Sequence, residues 1–356
     1  MKLSVFLSVG LSTLALAAPI QKRCEDHVTN STTPAVSSTT PVATSTATPV
    51  AIPSSNANTS ATGSASLEDG PTTGYATENG GTTGGKGGKQ VSVSTLAELT
   101  TAVAGDEASI VIITGPISGS GENVKIGSNK SVIGKDSTAQ LSGFTLTVKG
   151  VSNVIIRNIA VSKVVGGDAI AIQKATNVWV DHVDLSSDRD HDKDYYDGLI
   201  DVTHAGDFVT ISNSYFHDHW KCSLVGHSDS NGAEDTGFLH ITYHNNYWKN
   251  INSRGPSFRF GTGHLFNNYY ENVSDGINTR SGAQVLVQNN VFVGSKKPLY
   301  TVDDGQAVAT GNDFGVGSNN APKGTLTSVP YTVPSMLEAA AVKAAVVGTA
   351  GVTLSF

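Results

Sequence analysis

The chain has 356 residues, with 23 Lys and Arg against 30 Asp and Glu for a net charge of −7. That balance exerts no long-range pull on a polyanion, so it argues against a nucleic-acid partner, and an acidic substrate needs cations concentrated at one place. Its two cysteines do not make a disulfide scaffold.

Residues 1–18 have the form of a secretory signal: Lys2, a short apolar core from Leu3 to Leu16, and the small-residue site Ala15-Leu16-Ala17. The core is too short to span a bilayer and no later segment is long and apolar enough, so the expected product is secreted and does not enter a membrane. Lys22-Arg23 is either a dibasic processing site or two solvated charges. From Val28 to Ser66 there is no charge and no aromatic ring. Such a Ser/Thr/Pro-rich stretch buries too little apolar surface to offset its ordering entropy. Residues 19–70 are therefore expected to be a short propeptide and an extended linker, a composition that favours O-glycosylation. Asn30, Asn58, Asn129 and Asn272 begin N-glycosylation triplets.

Residues 71–356 suffice for one large core. Thr95-Leu96-Ala97-Glu98 is a capping box ahead of a short helix, expected to close one end of the core. A second helix is expected from Pro334 to Val347, ending near Gly348. Between them run short segments rich in Val, Ile, Tyr and Phe, broken by Gly, Asn and Asp, which read as strands. These repeat. With the runs aligned, the polar residue before each closing hydrophobe is Asn158, His182, Ser214, Asn246, Asn268 and Asn290, with spacings of 24, 32, 32, 22 and 22 residues. Such periods predict an all-β, single-chain, right-handed parallel β-helix with short capping helices and an Asn ladder at one bend. His182 is expected to cap that ladder. A sandwich would favour shorter spacing and tight hairpins.

The chemistry concentrates in this solenoid. Asp168, Asp197 and Asp201 are candidate oxygen ligands for Ca²⁺, which takes about six to eight. On a straight strand Asp197 and Asp201 lie about 13 Å apart, so a shared ion requires a bend, placed at Gly198. Asp190-His191-Asp192-Lys193-Asp194 is no EF-hand, because Tyr195 stands where its sharp turn needs Gly. Arg254 and Arg259 have an offset that would place them on opposite faces of a regular strand, but Gly255-Pro256 interrupts it and lets both turn into one cleft. Lys221 and Arg280 add positive charge from neighbouring coils. His217 and His219 are a weaker, zinc-like alternative, lacking a good third ligand. Cys222, among apolar neighbours, is expected to be a buried, unpaired thiol.

Asn177-Val-Trp-Val-Asp-His182, Asp197-Gly-Leu-Ile-Asp201 and Ser253-Arg-Gly-Pro-Ser-Phe-Arg259, with Lys221 and Arg280-Ser-Gly282, resemble the pectate lyases of the pectate/pectin lyase superfamily, the fungal secreted members above all. The resemblance runs from Tyr75 to the C-terminus. It implies β-elimination on polygalacturonate with Ca²⁺ held by Asp168, Asp197 and Asp201. It further implies Arg254 as the residue that takes the C5 proton, and Lys221, Arg259 and Arg280 as cations for substrate carboxylates. Some members carry another acid where this chain has Gly166, which implies a weaker calcium site completed by substrate. Arginine is a weak base in water because its pKa exceeds about 12. Lowering it by about three units takes roughly 4 kcal/mol, in the direction that nearby cations push. The expected partner is the polysaccharide alone, and the domain is expected to act as a monomer. A pectin lyase would not need the aspartates. A polygalacturonase would carry Gly-His-Gly and Arg-Ile-Lys, which are absent. A non-catalytic binding solenoid would have no use for three aspartates beside Arg254.

Overall fold

The computed structural model describes residues 65–356; the candidate signal, the dibasic pair, Cys24, Asn30, Asn58 and nearly all of the linker lie outside them. The strands form three parallel sheets, one of ten strands and two of eight. Through the middle of the chain each strand pairs with the third one on in sequence, so every coil contributes one strand to each sheet. This is the expected parallel β-helix. No helix among the described residues is long and apolar enough to cross a membrane.

Inward positions stack in register. In the ten-stranded sheet one row runs Val111, Val132, Ile156, Val180, Ile211, Tyr243, Leu265 and Val287, all with no exposed surface. Burying such a side chain contributes about 1.5–3 kcal/mol. A second row places Phe216, Trp248, Tyr270 and Phe292 on successive coils with ring centroids 4.5, 5.6 and 4.2 Å apart.

The polar bend uses two residues per coil. The first lies in the left-handed region: Asn158, His182, Asn213, Asn245, Asn267 and Asn289 have φ between 47° and 57°. Asn tolerates that conformation better than most residues. The second residue carries the ladder. Asn246 N–H donates to Asn268 Oδ1 at 3.0 Å, Asn268 N–H to Asn290 Oδ1 at 3.0 Å, and Asn290 N–H to Asn312 Oδ1 at 2.9 Å. In the first two coils the ladder position is therefore Ile159 and Val183, one residue after the Asn158 and His182 expected there. Asn158 and His182 belong to the left-handed column, and the ladder ends where Ser214 Oγ accepts the Val183 N–H at 3.2 Å. His182 does not cap it.

Helix α1 spans Leu96–Ala102, starts on the expected capping box and seats Leu99 in the core. Helix α2 is the short Gly232–Asp235, on a loop the sequence did not flag as helical. Helix α3 spans Ala339–Val346, five residues shorter at its start than expected. The reason lies in the bend column: Leu337 O accepts both Asn267 Nδ2 and Asn289 Nδ2 at 2.8 Å, and Leu337 N–H donates to Asn267 Oδ1 at 3.0 Å. Those contacts hold the segment extended until Glu338. At the other end, Arg157 bonds Ser66 O at 3.2 Å and Asp69 Oδ2 at 3.1 Å, so the chain joins the domain slightly before residue 71. Cys222 is buried and unpaired, as expected.

Candidate active site

Asp168 and Asp201 converge from consecutive coils on the outer face of one eight-stranded sheet, hereafter the site sheet. Asp201 is the second residue of strand Ile200–Thr203; residues 197–199 before it leave regular strand geometry, which supplies the expected bend. A Cβ added at Gly198 would stand 2.6 Å from Asp201 Oδ1 and 2.7 Å from Asp168 Oδ1. Glycine is needed here for close approach rather than for a left-handed turn. Among the described residues each carboxylate is short of donors: Asp168 Oδ1 accepts only the Gly198 N–H at 2.8 Å, and Asp201 Oδ1 only the Leu224 N–H at 2.9 Å. Burial first, then the Asp197 charge, lifts the Asp168 pKa to about 6 against the pull of the Gly198 amide, Arg254 and Lys221. Burial and the Asp168 charge likewise push Asp201 well up. Like charges this close in a buried setting favour a proton or a cation between them.

Asp197 does not complete a three-carboxylate cluster. Its Oδ1 lies 3.1 Å from Lys221 Nζ, which also reaches Asp194 Oδ1 at 2.9 Å. Among the described residues no three His, Cys, Asp or Glu side chains are gathered as a metal-binding group. The hard, underbonded oxygens of Asp168 and Asp201 nevertheless fit a hard divalent cation such as Ca²⁺. Asp197 is near enough for its charge to be felt at both.

The cations fall into two groups. Arg254 follows strand Tyr247–Ser253 with φ 63°, in the left-handed region, just before a cis Gly255–Pro256 peptide. Its guanidinium has no hydrogen bond or ion pair among the described residues, yet its charge draws down the pKa values of Asp168 and Asp201. With Lys221 it forms the group around the carboxylates. Arg259 and Arg280 form the other, in facing positions of strands Ser257–Arg259 and Asp275–Arg280 on the same sheet. Both bond to Asp229, a residue that sequence reasoning missed because no motif marks its loop. A cleft of about 520 Å³ opens from Asp168 toward the N-terminal coils, past Thr147, Lys125 and Lys149. The two lysines also escaped notice; the polar–apolar alternation of Asn123-Val-Lys-Ile126 was the available signal for Lys125. A larger groove of about 620 Å³ between α1 and strand Lys89–Val93 contains none of the candidate residues.

The histidines serve the framework. His217 Nε2 is 3.0 Å from Asp184 and its Nδ1 2.8 Å from Asp218; these contacts outweigh burial and raise its pKa. His219 instead turns inward, where Nε2 meets Asp197 O at 2.8 Å and burial lowers its pKa to about 4. Asp218 between them has φ 52°, so the strand alternation that would have aimed both rings one way is broken. They share no zinc site. His219, by holding the Asp197 carbonyl, positions the loop that brings Asp197 to Lys221.

The fold is a parallel β-helix that carries carboxylates and cations together on the outer face of one sheet. The sequence profile of the pectate lyase family matches residues 38–354. "Probable pectate lyase A" of Aspergillus flavus is 64% identical over 285 residues, covering 80% of this chain and 88% of the relative. "Pectate lyase A" of Aspergillus niger is 63% identical with the same coverage. Among solved structures, pectate lyase Bsp165PelA from Bacillus sp. N165, crystallised with trigalacturonate, superposes with a TM-score of 0.71 at 31% identity, covering 80% of this chain and 99% of that one. The chain belongs to the pectate lyase family.

Proposed function

We propose that this protein is secreted, acts as a monomer and cleaves polygalacturonate by calcium-dependent β-elimination, leaving a 4,5-unsaturated uronate at the new chain end. The observation that carries the reading is the Arg254 guanidinium, unpaired among the described residues, beside the underbonded Asp168–Asp201 pair. Asp168 and Asp201, with Asp197 at their margin, would hold the calcium. When bound, the ion neutralises the substrate carboxylate and stabilises charge that develops next to C5.

The chain's own residues divide the remaining work. Lys221, kept protonated by Asp194 and Asp197, binds a uronate carboxylate beside the pair. Arg259 and Arg280 bind a carboxylate further along the same sheet. Arg254, in its neutral guanidine form, takes the proton from C5, becomes guanidinium and returns that proton to solvent after product leaves. The C5–H electrons form the C4–C5 double bond, the bond from C4 to the glycosidic oxygen breaks, and that oxygen collects a proton from solvent. Positioned cations acting on developing negative charge are worth about 10²–10³ in turnover each.

The test is product chemistry. Native protein and polygalacturonate should yield the ultraviolet absorbance of an unsaturated uronate, with much less from highly methyl-esterified pectin. Equal or greater turnover of the esterified chain would make it a pectin lyase. New reducing ends without that absorbance would make it a hydrolase.

A further inference from the structure

One carboxylate of the protein itself spans the two outer arginines. Asp229 Oδ1 accepts from Arg259 Nε at 2.6 Å, and Oδ2 accepts from Arg280 Nη2 at 3.0 Å. Ser281 Oγ donates to Oδ1 at 3.2 Å. The arginine side chains are only 12% and 20% exposed, whereas that of Asp229 is 59% exposed. The cations therefore belong to the sheet, while the carboxylate approaches from the solvent side. Arg280 Nε remains buried with no acceptor among the described residues, so Asp229 does not satisfy this fork in full.

Asp229 rides on a loop that is pinned behind it rather than at its tip. Asp235 Oδ1 accepts the Ala205 N–H at 2.7 Å, and Glu234 pairs with Lys174 at 3.0 Å and His204 at 2.8 Å. Its own contacts to the sheet are all to the groups that would receive substrate or to their neighbour Ser281. A uronate carboxylate has the same charge and the same two acceptor oxygens as Asp229.

We propose that Asp229 is a competing counter-ion of the substrate subsite: it occupies the anion position of Arg259 and Arg280 until a uronate carboxylate displaces it. The inference rests on the reading of these arginines as substrate cations. Exchange of one carboxylate for another conserves the charge-assisted hydrogen bonds. A methyl ester must displace the same carboxylate and supplies no anion in return, so the arginines favour the acid with or without Asp229. The same competition makes the native site bind the free acid somewhat less tightly than the arginines alone allow.

Asp229→Asn and Asp229→Ser test this in the full chain. Both should fold normally, seen as an unchanged melting midpoint, because the residue is exposed. Calorimetric Kd for trigalacturonate and KM for polygalacturonate, at fixed calcium and ionic strength, should fall about two- to fivefold, the range of an exposed ion pair. The change should fall on KM more than on kcat. The ratio of kcat/KM on highly esterified pectin to that on unesterified chain should stay level or fall in both variants, because the acid gains at least as much as the ester from removal of the competitor. Unchanged or raised Kd in both variants, or a ratio that rises, overturns the proposal. Absence of any unsaturated product from the native enzyme would instead defeat the lyase reading, and the Kd comparison would still decide the role of Asp229.

Discussion

Two buried aspartates lie on different sheets of the solenoid and have opposite fates. Asp181, on the ten-stranded sheet, accepts from Arg157 Nε at 2.9 Å, Ser212 Oγ at 2.7 Å and Asn213 Nδ2 at 2.8 Å, and lies 2.7 Å from His182 Nδ1. Although burial pushes its pKa up, those contacts win and hold it below the ordinary carboxyl value. Asp201, on the site sheet, has one amide and a like-charged neighbour, and its pKa goes up. The arginines differ in the same way. Arg157 pairs with Asp181 and Asp69 and lies over Trp179, 5.1 Å from the ring centroid, while the Arg254 guanidinium has no hydrogen bond or ion pair among the described residues. Burial alone therefore does not mark function; a buried charge that its own fold leaves uncompensated does.

Asp181→Ala is the largest expected break on the structural side. It strands Arg157 and His182 and should cost about 3–5 kcal/mol of unfolding free energy, read from denaturant melts. Arg254→Lys should do the reverse, lowering kcat by about 10²–10³ with little change in stability or oligogalacturonate affinity, because the planar fork and its reach are lost while charge is kept. A Lys variant with near-native kcat would move the base role elsewhere, Arg259 being the first alternative.

Asp201→Asn should sharpen the contrast further. Without calcium it removes a repulsion, so the melting midpoint should stay level or rise by roughly 2–4 °C, about 1 kcal/mol at this size. A large fall would place Asp201 with Asp181 as a structural carboxylate.

The smallest effect is a pH slope. Burial lowers His219, His244 and His264 to about 4 from 6.5. Each depressed group binds its proton first in the unfolded chain, so stability is full above about 6.5 and is lost as pH falls toward 4. Each contributes up to about 1.4 kcal/mol per pH unit. Asp168, raised to about 6, works against that slope at the acid end. Melts of His264→Gln across this window should show a shallower dependence than the native protein.

Much of this was legible before the fold was known. β-Branched runs between Asn and Gly fixed a solenoid, because their period exceeds that of hairpins and falls short of most helical repeats. The ladder register was not legible in the coils that keep a single polar residue: Asn158-Ile159 and His182-Val183 align equally well to either position of a two-residue bend. Helix α3 was overcalled because the pull of Asn267 and Asn289 on Leu337 comes from elsewhere in the chain. Asp168 and Asp201 were found through their motifs, and Gly198 through the distance they had to close. Asp229 was invisible, since only the loop's tertiary path brings it to Arg259 and Arg280.

The most direct test of the central claim is calcium add-back after chelation, followed by the ultraviolet absorbance of product from polygalacturonate. The native protein should lose turnover with chelator and regain it with calcium, whereas Asp168→Ala/Asp201→Ala should fold normally and regain almost none. Product formation that persists undiminished in chelator, or in the double variant, would contradict the account.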